Sequence, residues 1–94
     1  MREFHFDLED GKKPTPTCCS WLLTDSSMFV VGYETSHLVF FEHGTGNVES
    51  SSKLDEADSS AITCITAHYF SPQLAVGHES GLITIYDYSL KTII

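Results

Sequence analysis

The sequence contains one pattern twice, as VVGYETSHLVFFE at residues 30–42 and as AVGHESGLITIYD at residues 75–87. The two copies are 45 residues apart, an offset that aligns identical residues: Val31 with Val76, Gly32 with Gly77, Glu34 with Glu79, and Cys19 with Cys64. The same offset aligns apolar residues: Leu38, Phe40 and Phe41 with Ile83, Ile85 and Tyr86. The chain is therefore interpreted as two copies of one structural unit.

The repeat length indicates a β-propeller, because a period of about 40 to 45 residues is the spacing of propeller blades. The apolar residues form short runs rich in Val, Ile, Thr, Phe and Tyr, and Gly, Ser, Asp and Pro separate them, as is typical of short strands. Strands are expected near residues 17–23, 28–33, 37–42 and 47–51, and again near 61–67, 73–77, 82–87 and 91–94. The predicted fold is all-β, with two consecutive four-stranded antiparallel blades of a propeller that is incomplete as a ring.

The chain divides into four parts on this interpretation. Residues 1–16 hold an edge strand at 4–8, where apolar and polar residues alternate, and a turn-rich connector from a preceding blade. Residues 17–51 are the first blade and residues 61–94 the second. Between them, residues 52–60 form an acidic, Ser-rich loop with one apolar residue worth burying, Leu54.

Two short turns join the second and third strands of the two copies, at residues 34–36 and 79–81. Gly81 is suited to the positive φ of a bulged hairpin turn. Ser36 stands at the same position in the first copy and tolerates that backbone less well, so the first turn is expected to differ in type. Loops on a rigid scaffold often carry binding residues, so residues 34–36 and 78–81 are candidate contact points.

The composition argues against several partners. The net charge of −8 opposes binding to nucleic acid or to an anionic membrane surface. No apolar run reaches the length of a membrane-spanning helix, about 18 to 20 residues. The three cysteines include the adjacent pair Cys18 and Cys19, which suits reduced thiols and a cytoplasmic location better than a disulfide framework.

The chain resembles a WD-repeat protein, in which the third strand of each blade ordinarily ends in Trp-Asp. Tyr86 and Asp87 stand at that place in the second copy, and Phe41 and Glu42 stand there in the first. The Gly-His pair that usually precedes the first strand is missing from both copies. The resemblance therefore implies degenerate repeats, whose packing depends more on apolar contact than on the usual His, Ser or Thr, Asp and Trp set.

Within that family the chain is most similar to the striatins, scaffold subunits associated with a type 2A protein phosphatase. The similarity rests on KPTPT at 13–17, DSSMFVV at 25–31, NVES at 47–50, ITCITAH at 62–68 and IYD at 85–87. It implies a segment that binds other proteins in phosphatase-kinase complexes. Two blades alone leave apolar sheet faces uncovered, so further blades or another chain are expected to cover them.

No catalytic residue, cofactor or metal site is predicted. The histidines and cysteines fall at different blade positions without a zinc spacing, and no positioning motif surrounds Cys64 or His68. Trp21, Phe40 and Phe41 are expected in the core rather than as exposed anchors, and His78 is expected to cap a turn at the propeller rim. Ser52, with Asp55 three residues on, is a candidate phosphorylation site. Two alternatives stay open: a self-contained β-sandwich adaptor, and a metal-dependent hydrolase on a β scaffold.

Overall fold

The computed structural model describes residues 3–23, 27–54 and 60–94, which form two antiparallel sheets of four strands each and contain no helix. The strands of the first sheet are β1 (Pro16–Trp21), β2 (Met28–Tyr33), β3 (His37–Glu42) and β4 (Val48–Lys53). Those of the second are β5 (Ile62–Ala67), β6 (Gln73–His78), β7 (Ile83–Asp87) and β8 (Thr92–Ile93). Within each sheet the strands follow sequence order, and each strand pairs antiparallel with the next. The all-β prediction of two four-stranded antiparallel blades is confirmed.

The limits of β4 differ from the expected residues 47–51. This strand continues through Lys53, so Ser52 and Lys53 lie in a strand and not in the loop. Ser52 pairs with Leu38 on β3, and the buried Leu54 donates its backbone N–H to Ser36 O at 2.9 Å. These contacts extend the strand past residue 51, where the sequence pattern predicted its end. The acidic residues 55–59 lie outside the described part of the chain.

The core lies between the two sheets. The first sheet contributes apolar side chains from β2 and β3, and the second contributes them from β5, β6 and β7. The buried members are Leu22, Val30, Leu38, Phe40, Leu54, Ile62, Leu74, Val76 and Tyr86. Burying such side chains stabilises a fold by roughly 1.5 to 3 kcal/mol each relative to exposure, before the cost of ordering the chain.

The first sheet is also covered on its opposite face, which explains why β2 and β3 are apolar without alternation. Val31, Val39 and Phe41 are buried there beneath Phe4 and Phe6. The N-terminal segment that carries these two phenylalanines was predicted to hold an edge strand of a preceding blade at residues 4–8. These residues pair with neither of the two sheets, and their pairing with a preceding blade stays a prediction. The alternation does place Phe4 and Phe6 on one side, but the segment lies across the sheet face and joins neither sheet.

The two copies are related by more than one offset. Cys18 pairs with Gly32 and Cys64 pairs with Gly77, each just after a register shift in its strand. Cys18 is thus the counterpart of Cys64, which corrects the gap-free match to Cys19. The reason is a β1–β2 connection one residue longer than the β5–β6 connection.

The turn at Ser36 has the conformation of its counterpart at Gly81. Ser36 adopts a φ of 70° and Gly81 a φ of 94°. Each donates its N–H three residues back, Ser36 to Tyr33 O at 3.1 Å and Gly81 to His78 O at 3.0 Å. The expectation that the first turn differs in type is therefore wrong. Tertiary contacts hold Ser36 in a backbone region that disfavours a side chain.

Candidate interaction site

The two blades meet along their first strands. Thr17 Oγ1 lies within hydrogen-bond distance of two carbonyl oxygens, Gly32 O in its own sheet and Ile62 O in the neighbouring sheet, which compete for its single proton. Gly32 is buried against Ile62, because a Cβ on this glycine would lie 2.6 Å from Ile62 Cγ2. Gly32 is therefore required for the close approach of the second blade.

A buried polar chain joins the blades at the end where the β2–β3 and β6–β7 turns lie. Ser36 Oγ lies 3.4 Å from His78 Nδ1, and His78 Nε2 lies 3.1 Å from Thr84 Oγ1. All three side chains are buried. Ser36 and His78 are therefore interior groups, which corrects their assignment as exposed contact points and His78 as a cap at the rim. Glu34 and Glu79 remain exposed at these turns.

Tyr86 forms a second polar contact between the blades. Its hydroxyl lies 3.1 Å from Ser52 Oγ, and its ring stacks on Phe40 with a centroid distance of 5.9 Å. Ser52 is half-buried at this contact. Phosphorylation of Ser52 stays a prediction, and its acidic determinant Asp55 lies outside the described residues.

Phe41 and Asp87, which lie at non-equivalent positions near the ends of the third strands β3 and β7, have different surroundings. Phe41 is buried, and its ring lies 5.5 Å from Phe29 and 5.6 Å from Phe4. Asp87 begins a turn, where its Oδ1 accepts hydrogen bonds from Ser89 Oγ at 2.7 Å, Ser89 N at 2.9 Å and Leu90 N at 3.0 Å. These donors, the Ser89 hydroxyl first, hold the pKa of Asp87 below its ordinary value.

The second blade has an open face, defined here by Ala75, Gly77, Ile83 and Ile85. Ile83 is 72% exposed and Ile85 is 40% exposed. Their counterparts in the first blade, Leu38 and Phe40, are 0% and 1% exposed because the second blade covers them. The open face thus repeats a packing surface without the sheet that covers it in the first copy. A Cβ on Gly77 would lie 2.7 Å from Cys64 Sγ in its own sheet, whereas the counterpart Gly32 meets the neighbouring blade.

An exposed aromatic cluster that was not predicted from the sequence lies in the β5–β6 connection. The Tyr69 and Phe70 rings contact each other with a centroid distance of 4.4 Å, and His68 stacks on Tyr69 at 5.2 Å. Tyr69 and Phe70 are both exposed. The signal in the sequence was three consecutive aromatic residues before Ser71 and Pro72, in a segment that ends a strand.

Trp21 is 54% exposed, so its expected place in the core is wrong, whereas Phe40 and Phe41 are buried as expected. Its ring lies 5.5 Å from Phe29 and 5.4 Å from His43. A groove of about 400 Å³ lies beside it, and Phe4, Cys19 and Phe29 also line this groove. Trp21 is exposed because it lies at the end of β1, on the face away from the second blade.

The cysteines are free thiols in unlike surroundings. Cys18 is half-buried, and burial is the main cause that raises the pKa of its thiol, whereas Cys19 and Cys64 are exposed. Within residues 3–23, 27–54 and 60–94, no three His, Cys, Asp or Glu side chains are grouped so that they could hold a metal ion. The described residues also include no helix that is long and apolar enough to cross a membrane.

Comparison with solved structures identifies the architecture. The chain superposes on U3-55K, a WD40 β-propeller protein, with a TM-score of 0.75 and 18% sequence identity over 89% of this chain. The chain has the fold of two propeller blades. It spans only 26% of the U3-55K chain. No protein-family model matches the sequence, and no curated protein is significantly similar to it.

Proposed function

We propose that this chain is a non-catalytic, protein-binding segment of a β-propeller scaffold. The open face of the second blade is the observation that carries this proposal. Ile83 and Ile85 are exposed at positions whose counterparts in the first blade are buried by a neighbouring sheet. An exposed apolar patch of this kind marks an interaction site in a soluble protein.

The inter-blade contact in this chain indicates what fits the open face. The first blade packs Leu38 and Phe40 against Leu74, Val76 and Tyr86 of the second. The matching occupant of the open face is therefore a second sheet that presents aliphatic and aromatic side chains at alternate positions. Further blades of a longer chain have this chemistry, and so does a blade of another protein.

The more specific proposal is a striatin-type scaffold that acts in the cytoplasm and binds components of a type 2A phosphatase and kinase complex. Its support is the sequence resemblance at residues 13–17, 25–31, 47–50, 62–68 and 85–87. The fold resemblance to U3-55K supports a propeller segment and carries no information on the partner.

The specific proposal is tested by sedimentation of the chain mixed with purified phosphatase and kinase components of the striatin complex. Co-sedimentation of the chain is expected, and it should weaken when Ile83→Lys changes the open face. Leu90→Lys is the matched control, because Leu90 is 70% exposed against 72% for Ile83 and the change in charge is the same. Separate sedimentation of the unaltered chain from every component would contradict the striatin-type role and leave the propeller fold unchanged.

A further inference from the structure

The second blade has the one sheet face that stays uncovered within the described part of the chain. The first blade is covered on one side by the second blade and on the other by Phe4 and Phe6. The second blade in turn buries Leu74, Val76 and Tyr86 against the first. The open face is therefore the apolar sheet face that one copy of this chain can offer to another.

The open face consists of a trough and a ridge that run side by side. Two small residues of β6, Ala75 and Gly77, form the trough. The exposed Ile83 and Ile85 on β7 form the ridge. Each trough residue is paired with one ridge residue, Gly77 with Ile83 and Ala75 with Ile85. None of these four residues is charged, so covering the face removes no ionised group from water.

The contact between the two blades shows that an isoleucine fits over this glycine position. Gly32 is the counterpart of Gly77, and Ile62 of the second blade covers it. Ile62 Cγ2 lies only 2.6 Å from where a Cβ of residue 32 would be, so the absence of a side chain makes the space for the isoleucine. Among the described residues, only Cys64 and Thr63 of its own sheet lie within 4 Å of a Cβ at residue 77. The same space is therefore open on the second blade.

We infer that the open face binds the open face of a second copy of this chain, so that two copies form a dimer with twofold symmetry. A twofold axis parallel to the strands, between β6 and β7, places the ridge of each copy over the trough of the other. This rotation keeps each residue at its height along the strands, so Ile83 covers Gly77 of the other copy. Ile85 covers Ala75 of the other copy in the same way. The strands of the two sheets are then nearly aligned, as in ordinary face-to-face packing of sheets.

The inference rests on the proposed function, because it names a second copy as the sheet that covers the open face. It adds a definite stoichiometry. A surface that binds itself across a twofold axis is used up when two copies have met. A head-to-tail contact, in which the open face meets a different surface of the next copy, would instead give a larger ring or an open filament.

Sedimentation equilibrium of the full chain tests the stoichiometry. Monomers and dimers are expected, with no larger species. Ile83→Lys should raise the dissociation constant of the dimer at least about tenfold, because each dimer would bury two unpaired charges. A chain that stays monomeric, or that assembles beyond two copies through Ile83, would overturn the twofold pairing and leave the open face as a site for other proteins. Association that Ile83→Lys leaves unchanged would overturn both the pairing and the proposed function.

A mixing experiment tests which residues face each other. Ala75→Asp and Ile85→Lys each place an unpaired charge in the interface, so each variant alone should be monomeric at concentrations where the unaltered chain is dimeric. In a mixture of the two, the new carboxylate of one chain faces the new ammonium group of the other. The second contact between residues 75 and 85 keeps its original alanine and isoleucine. The mixture should therefore form dimers that neither variant forms alone.

Ile85→Glu is the matched control, because it changes the same residue and reverses the sign of the charge. Mixed with Ala75→Asp, it should form no dimer, since two carboxylates would face each other. Circular dichroism checks that each variant keeps its sheets, and if one does not, the stoichiometry of the unaltered chain decides. The inference is wrong if the folded mixture of Ala75→Asp and Ile85→Lys stays monomeric, or if the mixture with Ile85→Glu dimerises equally well.

Discussion

Gly32 lies so close to Ile62 that a Cβ at residue 32 would be 2.6 Å from the Ile62 Cγ2 atom and 3.0 Å from the Cys18 Sγ atom. The contact joins the second strand of the first blade to the first strand of the second. Its counterpart, Gly77, meets only Cys64 Sγ at 2.7 Å and Thr63 Oγ1 at 3.5 Å, both on its own sheet. One glycine is therefore enclosed by two blades, and the other faces an open side.

Gly32→Ala should destabilise the chain more than Gly77→Ala. The methyl group at residue 32 meets a buried isoleucine, and overpacking of this kind costs typically about 1 to 3 kcal/mol. At residue 77 the exposed Cys64 side chain can rotate away, so a loss below about 1 kcal/mol is expected. Urea unfolding followed by circular dichroism measures both. Equal losses would show that the blades do not pack at Gly32 as described.

The contact between Ser52 and Tyr86 should couple the two blades energetically. Ser52→Ala and Tyr86→Phe each remove one hydroxyl of a pair whose oxygens lie 3.1 Å apart. A double-mutant cycle is expected to give a coupling free energy of about 0.5 to 1.5 kcal/mol, the usual net value of one hydrogen bond. Strictly additive losses in the free energy of unfolding would mean that the hydroxyls do not interact.

Phosphorylation of Ser52 should loosen this part of the interface. The Ser52 side chain is half-buried against Tyr86, and a phosphate with a charge of about −1.5 to −2 would meet that ring in place of a hydroxyl. The phosphorylated chain is expected to unfold at lower urea concentration than the unmodified chain. Mass spectrometry of protein isolated from cells tests whether the modification occurs, and an unmodified Ser52 peptide there would count against it.

Asp87 should stabilise the fold in a pH-dependent manner. Hydrogen bonds from Ser89 and Leu90 lower its pKa in the folded state, so its stabilising effect is complete above its ordinary pKa of 3.8 and is lost as the pH falls further. Asp87→Asn should therefore lower the Tm at neutral pH, and the difference from the unaltered chain should shrink below pH 3.8. Glu42→Gln, at the exposed counterpart in the first blade, is the control. A constant difference at all pH values would refute this role.

Most of the fold could be predicted from the repeat pattern. Val31, Gly32 and Glu34 recur with Val76, Gly77 and Glu79, and strands β2 and β3 form at the predicted residues. The register in β1 could not be predicted from a single offset, because a one-residue difference in loop length leaves Cys18, not Cys19, opposite glycine. A local pattern cannot report such a difference unless the pairing is known.

The interaction surfaces were less accessible to sequence reasoning, since burial there depends on tertiary contacts. Ser36 is a polar residue in a short turn, which predicts exposure. The second blade covers it, however, and His78 Nδ1 lies 3.4 Å from its hydroxyl oxygen. The alternation of apolar and polar residues at 4–8 predicted an edge strand of a preceding blade, and in the structure Phe4 and Phe6 lie against the apolar face of the first blade. It could not distinguish a strand at a sheet edge from a segment that crosses a sheet face.

The open face of the second blade should bind a covering sheet, and sedimentation of the chain alone over a range of concentrations tests this most directly. Concentration-dependent association is expected, because Ile83 and Ile85 need a covering sheet. Association should weaken in Ile83→Lys and persist in Leu90→Lys, which changes an equally exposed residue outside the face. A chain that stays monomeric at every concentration and unfolds in one sharp transition would contradict the account.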